Sequence, residues 1–382
     1  MSNVPILCLL TENKIVWYTK YIIIIMRVRM NKTNKYELKI EKLLQEMPYY
    51  VYDYYYSKKA IPYSFVTLYD YCLEYRRFFK WIINNKLTQA VQMKSISLVE
   101  LEYLKKRDVE QFSIDLRNQI VTKYTGQSRK YTVNRSLAAL KSLFKYLSEE
   151  SENEHGETYI DRNVMRYVTI NKEQSTLAYR ASRLNGKLFL GTDTVDFLDF
   201  VDRNYQFKIS KREKNFFQKN KNRDLAILSL FLSSGIRMSE LINLNIDNIN
   251  LQTQIVHVIR KGNKEDAVPF AKFALPYLTK YLDERSSKGT NKVNTPLFIT
   301  NYGKNTTRIS AANINTLVAK YSQAFKVRVT PHMLRHTLAT RLYDATHSQV
   351  TVSHQLGHST TQATVLYTHI VDEQLRNALD DL

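Results

Sequence analysis

Cysteine is almost absent: Cys8 and Cys72 are the two in 382 residues. That excludes a disulfide framework and leaves no thiolate pair at a metal-binding spacing, the pattern of a reduced, intracellular chain. No apolar run reaches the roughly 20 residues that a membrane span requires. The Ile22 to Ile25 run sits between Lys20 and Arg27, and no small-residue cleavage site comes after it. Residues 1–30 read as a leader that need not belong to the native protein, with the functional start at Met26 or Met30. Acidic residues are also short, 36 against 56 Lys and Arg, a net charge of +20. The excess is not confined to a tail, because it divides as +3 over residues 1–30, +9 over 31–187 and +8 over 188–382. Two basic segments suit two contacts with one phosphate backbone, bound with release of its counterions.

Residues 31–165 carry a helical pattern. Tyr36 to Met47 sets Leu38, Leu43 and Leu44 among charges, and Pro48 stops it. The tyrosine-rich run from Tyr49 to Tyr63 could stack on bases. With no basic groove motif beside it, the favoured reading is packing at a domain edge with wet hydroxyls. Ser64 opens a helix with Phe65, Leu68, Tyr69, Cys72, Leu73, Phe78, Phe79 and Ile82 apolar and Arg76, Arg77 and Lys80 basic. Further helices are expected near Val109 to Asn118 and Thr132 to Ser148, the second with Lys130, Arg135, Lys141 and Lys145 off its apolar face. Several helices with basic faces fit a clamp on DNA. Around residues 166–187 the sequence turns polar and poor in large apolar residues, as expected of a linker.

From residue 188 to the end the punctuation changes. Asp193 to Tyr205 reads as a helix, and Arg223 to Ser233 as a buried helix that Gly235 ends, its function being to aim the residues just beyond that glycine. Gln254 to Arg260 and Asp266 to Phe270 read as two strands around a turn at Gly262-Asn263. Six of the eight histidines fall between His332 and His369. Thr330 and Pro331 start a helix that puts His332, Arg335 and His336 on one face, poor core material but good for gripping a phosphate. Leu356-Gly357-His358 looks like a helix end presenting His358, and Tyr367 stands nine residues later.

Taken together these boxes resemble the active site of the tyrosine recombinase (integrase) family. Its first Arg box is matched by Gly235-Ile236-Arg237-Met238-Ser239-Glu240-Leu241, its hairpin lysine by Lys261, and its last boxes by His332-x-x-Arg335, Leu356-Gly357-His358 and Tyr367. The span from Arg237 to Tyr367 is 131 residues, a third of the chain. PYSFVTLYDYCLEYRRFFKWI and the ending VDEQLRNALDDL are most similar to the Xer branch in which a single protein does the work. The resemblance implies a mainly α protein: a helical, SAM-like core-binding domain at 31–165, a linker at 166–187, and an α+β catalytic domain at 188–382 with a small antiparallel sheet. Residues 372–382 would be a helix that docks into a neighbouring protomer.

The resemblance also implies the chemistry. Tyr367 would attack the scissile phosphate, leaving a 3′-phosphotyrosine that stores the bond without ATP or metal. A phenol has a pKa near 10 and needs a strongly positive setting. Arg237 and Arg335 would hold the non-bridging oxygens, His358 would hydrogen-bond one of them, His332 would assist proton transfer from the phenol, and Lys261 would protonate the leaving 5′-oxygen. Glu240 could orient Arg237 from behind or be a surface carboxylate. Implied partners are double-stranded DNA bearing an inverted repeat of the dif type, a tetramer on two sites, and an FtsK-type DNA translocase, in the cytoplasm and away from membrane. The process would be chromosome dimer resolution, with mobile-element integration as the alternative. A zinc hydrolase using His332 and His336 lacks the Glu of His-Glu-x-x-His. A type IB topoisomerase would not carry the Xer-like N-terminal half, and a non-catalytic DNA-binding regulator would be expected to have lost Tyr367 or an Arg.

Overall fold

The computed structural model describes residues 32–61, 63–120, 126–170, 175–260, 264–287, 295–302, 305–358 and 364–380. The expected leader therefore lies outside the described residues, as does Lys261, expected on the hairpin. The chain divides into two compact units, Met1–Glu173 and Gln174–Leu382.

Among its described residues the regular structure of the first unit is all helical, chiefly α1 (Lys32–Leu44), α2 (Tyr49–Ala60), α3 (Phe65–Asn84), α4 (Leu98–Glu102), α5 (Lys106–Ile120) and α6 (Gly126–Lys145), the last running on as a π-helical turn, Tyr146–Glu150. The apolar residues of α3 recur at helical spacing, so Leu68, Cys72, Tyr75, Phe79 and Ile82 reach one core. Each such side chain contributes about 1.5–3 kcal/mol of burial. The tyrosine-rich run departs from its expected place at a wet edge. Helical periodicity puts Tyr50, Val51, Tyr54, Tyr55 and Lys58 on one buried face of α2, where Tyr54 packs edge-on against Tyr75 and Tyr146 at 5.6 Å between centroids. Its hydroxyl meets Ser142 at 2.8 Å, whereas the Tyr50 and Tyr55 hydroxyls are buried without a hydrogen-bond partner among the described residues. Lys58 is buried with them and pairs with Glu150. Part of the basic face is likewise committed, because buried Glu74 takes both Arg77 and Arg135.

In the second unit the order is α7 (Leu177–Asn185), α8 (Asp193–Asp199), α9 (Lys211–Ser234), α10 (Met238–Asn243), β1 (Ile249–Asn250), β2 (Ile255–Arg260), β3 (Lys264–Pro269), α11 (Leu275–Ser287), β4 (Ile299–Tyr302), β5 (Asn305–Arg308), α12 (Ala311–Phe325), α13 (Pro331–Thr346), α14 (Gln349–Leu356) and α15 (Val365–Asp380). The sheets are antiparallel, β1-β2-β3 and β4-β5. Helix α9 starts twelve residues before its apolar run, because Ser210 and Glu213 form a reciprocal capping box. Its second half, Asp224 to Ser234, is buried continuously and forms the middle of the main core with α12, α13 and the inner face of the sheet. Gln254 has φ +57° and belongs to the turn, so β2 begins at Ile255; its partner β3 begins at Lys264, two residues earlier than expected, and pairs with Arg260. Within the span read as linker, α7 is a regular helix capped by Thr176, and its Ala181 is fully buried.

A second apolar cluster matters more for the site. Ala181 and Leu188 meet Ala339 of α13, Val352 and Leu356 of α14, and Leu366, Tyr367 and Ile370 of α15. The tail helix expected from residue 372 is thus the continuation of the helix that already carries Tyr367 in its first turn.

Candidate active site

Gly235 closes α9 with φ +66°, and an added Cβ would sit 2.8 Å from Leu338 Cδ2 and 3.0 Å from Leu356 Cδ2. Glycine here lets the chain turn tightly under α13 and α14. Two residues on, Arg237 is the N-cap of α10. Its backbone N donates to Glu240 Oε2 at 2.7 Å, its Nη1 to Glu240 Oε1 at 2.8 Å and its Nη2 to the Gly357 carbonyl at 3.3 Å. The side chain keeps 35 % of its exposure, while that of Glu240 keeps 3 %.

Arg335, on α13, is 2 % exposed and donates to the carbonyls of Gly235 and Leu356, the latter at 2.6 Å. Burial, reinforced by Arg237, lowers its pKa to about 10, still far above neutrality. Helix α14 ends at Gly357, φ +60°, which presents His358 beside these guanidiniums. His358 Nδ1 is buried and has no hydrogen-bond partner among the described residues. Desolvation, then Arg335 and Arg237, push His358 down to about 4, so it is neutral at physiological pH. The carbonyls at the end of α14 carry the negative pole of the helix, and cations gather there for that reason.

The two histidines of α13 stand one turn apart, their rings edge to face at 4.4 Å between centroids. His332 reaches the surface, and partial desolvation with Arg335 and Arg237 holds its pKa below the usual imidazole value. His336 lies deeper, and burial, then His332 and Arg335, drive it down to about 3. Its Nδ1 is 3.0 Å from the Tyr367 hydroxyl. The imidazole that touches the phenol is thus His336, which the sequence placed on the phosphate-gripping face but outside the six family positions, and not His332. Tyr367 is 2 % exposed, and burial raises it to about 12 although Arg335 opposes the rise. The positive setting expected to activate the phenol is outweighed here by desolvation.

Arg237 and Arg335 therefore hold the carbonyls of Gly357 and Leu356 just before His358, Glu240 holds Arg237, and Tyr367 contacts His336. One further residue joins them. Arg260, at the end of β2, reaches Glu240, Asp266 and the carbonyls of Gln355 and Leu356. A signal for it was present, since the alternation in Ile255-Val256-His257-Val258-Ile259-Arg260 puts Arg260 on the face of Val256 and Val258. Among the described residues no group of three or more His, Cys, Asp or Glu is placed to share a metal ion.

The phage integrase family profile matches residues 203–374. Tyrosine recombinase XerS of Streptococcus equi subsp. equi is 52 % identical over 349 residues, covering 90 % of this chain and 98 % of that protein. XerS of Streptococcus pyogenes serotype M6 is 53 % identical over 350 residues with the same coverage. In fold the chain is similar to the XerH site-specific recombinase bound to its difH substrate before cleavage, with a TM-score of 0.56 and 21 % identity over 82 % of this chain and 78 % of that one. A lambda integrase dimer bound to a COC′ core site has a TM-score of 0.51 and 14 % identity over 83 % of this chain and 93 % of that one.

Proposed function

The chain belongs to the tyrosine recombinases of the phage integrase family, enzymes that cut and rejoin DNA, and from that premise we propose that it recombines an imperfect inverted repeat of the dif type and so resolves chromosome dimers. The observation that supports the assignment of residues is that Arg237 and Arg335 hold the Gly357 and Leu356 carbonyls beside His358, with the Tyr367 phenol against His336.

In the proposed reaction the scissile phosphate lies against Arg237 and Arg335, whose forks take its non-bridging oxygens in competition with the carbonyls they now hold. Neutral His358 donates one more hydrogen bond. Tyr367 leaves His336, its oxygen forms a bond to phosphorus as its proton passes to His332, the bond to the 5′-oxygen breaks, and Lys261 gives a proton to the leaving oxygen. Glu240 holds Arg237 from behind. The phosphotyrosine keeps the energy of the broken diester, so no step calls for nucleotide hydrolysis, and two guanidiniums supply the charge that neutralises the pentacovalent state. A tetramer on two sites, exchange of the tail of α15 between protomers, and activation by an FtsK-type translocase complete the proposal. So does a cytoplasmic location, with the chromosome it acts on; no described helix is long and apolar enough to cross a membrane.

The test uses a Tyr367→Phe protein in two ways. Chromatin precipitation with it recovers the site, and a single peak near the replication terminus is expected; peaks at the ends of a mobile element would mean integration or excision instead. On a suicide duplex carrying that site, with EDTA present, the unaltered protein is expected to form a covalent adduct and Tyr367→Phe to bind without forming one. An adduct on Tyr367→Phe would mean another nucleophile.

A further inference from the structure

Arg260 is an arginine where strand alternation calls for an apolar side chain, and it is 9 % exposed. A buried cation in place of an aliphatic residue is not in itself a route to stability, because its desolvation cancels much of the gain. Its partners suggest what it does. Nε donates to Asp266 Oδ2 at 2.8 Å, Nη1 to both Glu240 Oε2 at 3.3 Å and the Leu356 carbonyl at 3.0 Å, and Nη2 to the Gln355 carbonyl at 3.3 Å. The flat of the guanidinium lies under Gly357, where an added Cβ would come within 2.6 Å of Arg260 Cζ.

We propose that Arg260 is a positioning residue for cleavage, setting how far Arg237 is free to leave Glu240 for the phosphate and fixing the Leu356-Gly357-His358 turn. Glu240 is shared: Oε1 faces Arg237, and Oε2 takes the Arg237 backbone N–H together with Arg260. While Arg260 neutralises part of that carboxylate, Arg237 is oriented by it without being wholly claimed. When Arg260 is lost, Glu240 keeps Arg237 for itself, and the carbonyls that aim His358 lose two of their donors. Lysine cannot do this work, since a single ammonium cannot reach a carboxylate on each side and two carbonyls above.

This inference rests on the assignment of Tyr367, Arg237 and His358 to cleavage, and the experiment separates the two. Single-turnover adduct formation is measured on the suicide duplex at saturating protein, alongside DNA affinity and melting, for Arg260→Gln, Arg260→Lys, Glu240→Gln and the Arg260→Gln/Glu240→Gln pair. The expected result is that Arg260→Lys folds and binds DNA as the unaltered protein does, yet cleaves at least about tenfold more slowly, as misplacement of catalytic groups by ~1 Å costs on the order of 100-fold. The paired variant is expected to be slowed by clearly less than the product of the two single effects, because the part of the Arg260 effect that acts through Glu240 is shared. Arg260→Lys cleaving within about twofold of the unaltered protein, or failing to fold, overturns the proposal, as do effects that multiply in the pair. If the unaltered protein forms no adduct, the functional reading itself fails and Arg260 falls with it; if it does and only the Arg260 variants behave normally, that reading stands alone.

Discussion

Two neutral groups meet at the Tyr367 phenol. Burial drives His336 down to about 3 and Tyr367 up to about 12, so across the neutral range their 3.0 Å contact is a hydrogen bond without ionic help. If Tyr367 is the nucleophile proposed above, it must leave His336 to reach a phosphate. The arrangement also makes the fold sensitive to acid. Unfolded, His336 titrates at its ordinary value near 6.5; folded, it resists the proton until about 3. As pH falls through that window the unfolded chain takes up a proton that the folded one refuses, and stability is lost on the way down. At pH 5 the His336 contribution is about 2 kcal/mol at 1.36 kcal/mol per unit. His336→Asn places an amide near the position of Nδ1 and removes the titration. Urea unfolding at pH 7 and pH 5 is expected to show a difference about 2 kcal/mol smaller in this variant; equal acid sensitivity would assign the proton to another group.

Helix ends do much of the aiming. Gly235 and Gly357 both take positive φ, and each is crowded on the side where a Cβ would project. Gly235→Ala is expected to cost about 1–3 kcal/mol in urea unfolding, from the left-handed backbone and the contact with Leu338 together; an unchanged midpoint would mean that α13 gives way. These ends were legible in the sequence because glycine, proline and threonine announce them locally. The boxes around Arg237, Arg335, His358 and Tyr367 were legible through the family resemblance, helped by a face of two imidazoles and a guanidinium that is poor core material. What was not legible depends on partners distant in the chain. Nothing near Tyr50 or Tyr55 says that their hydroxyls end up buried without partners among the described residues, because the face of α2 is chosen by α3 and α6. The short polar stretch around Ala181 read as linker because a single alanine makes a poor apolar stripe, yet α15 covers it. Arg260 could have been placed on an inner face from its strand, but not its four partners, which come from α10, β3 and α14.

At the scale of the whole molecule charge and the tail remain. Residues 31–187, which hold the core of the first unit and also α7, carry an excess of +9, so that fragment alone is expected to bind DNA weakly. Its salt dependence should be shallower than that of the full chain, since each phosphate contact adds about −0.9 to the slope of log K against log salt. A fragment silent at low salt would place all binding in the second unit. The tail poses the sharper question. Helix α15 runs from Val365 to Asp380 as one element, with Leu366, Tyr367 and Ile370 packed in the second cluster. Whatever holds its far end therefore acts on Tyr367, the proposed nucleophile, through a continuous helix. Leu375, Ala378, Leu379 and Leu382 recur at helical spacing, and if a neighbouring protomer takes that stripe, donation around a ring gives a head-to-tail interface that closes. Deleting residues 373–382 spares the packed first turn, so melting and binding to a single half-site are expected to stay close to those of the full chain. Cooperative assembly on paired half-sites should fall, and the rate of adduct formation should change with it. A truncated chain that misfolds, or that loses the single half-site, would show the tail folding back on its own unit, and exchange between protomers would then have no helix to carry it.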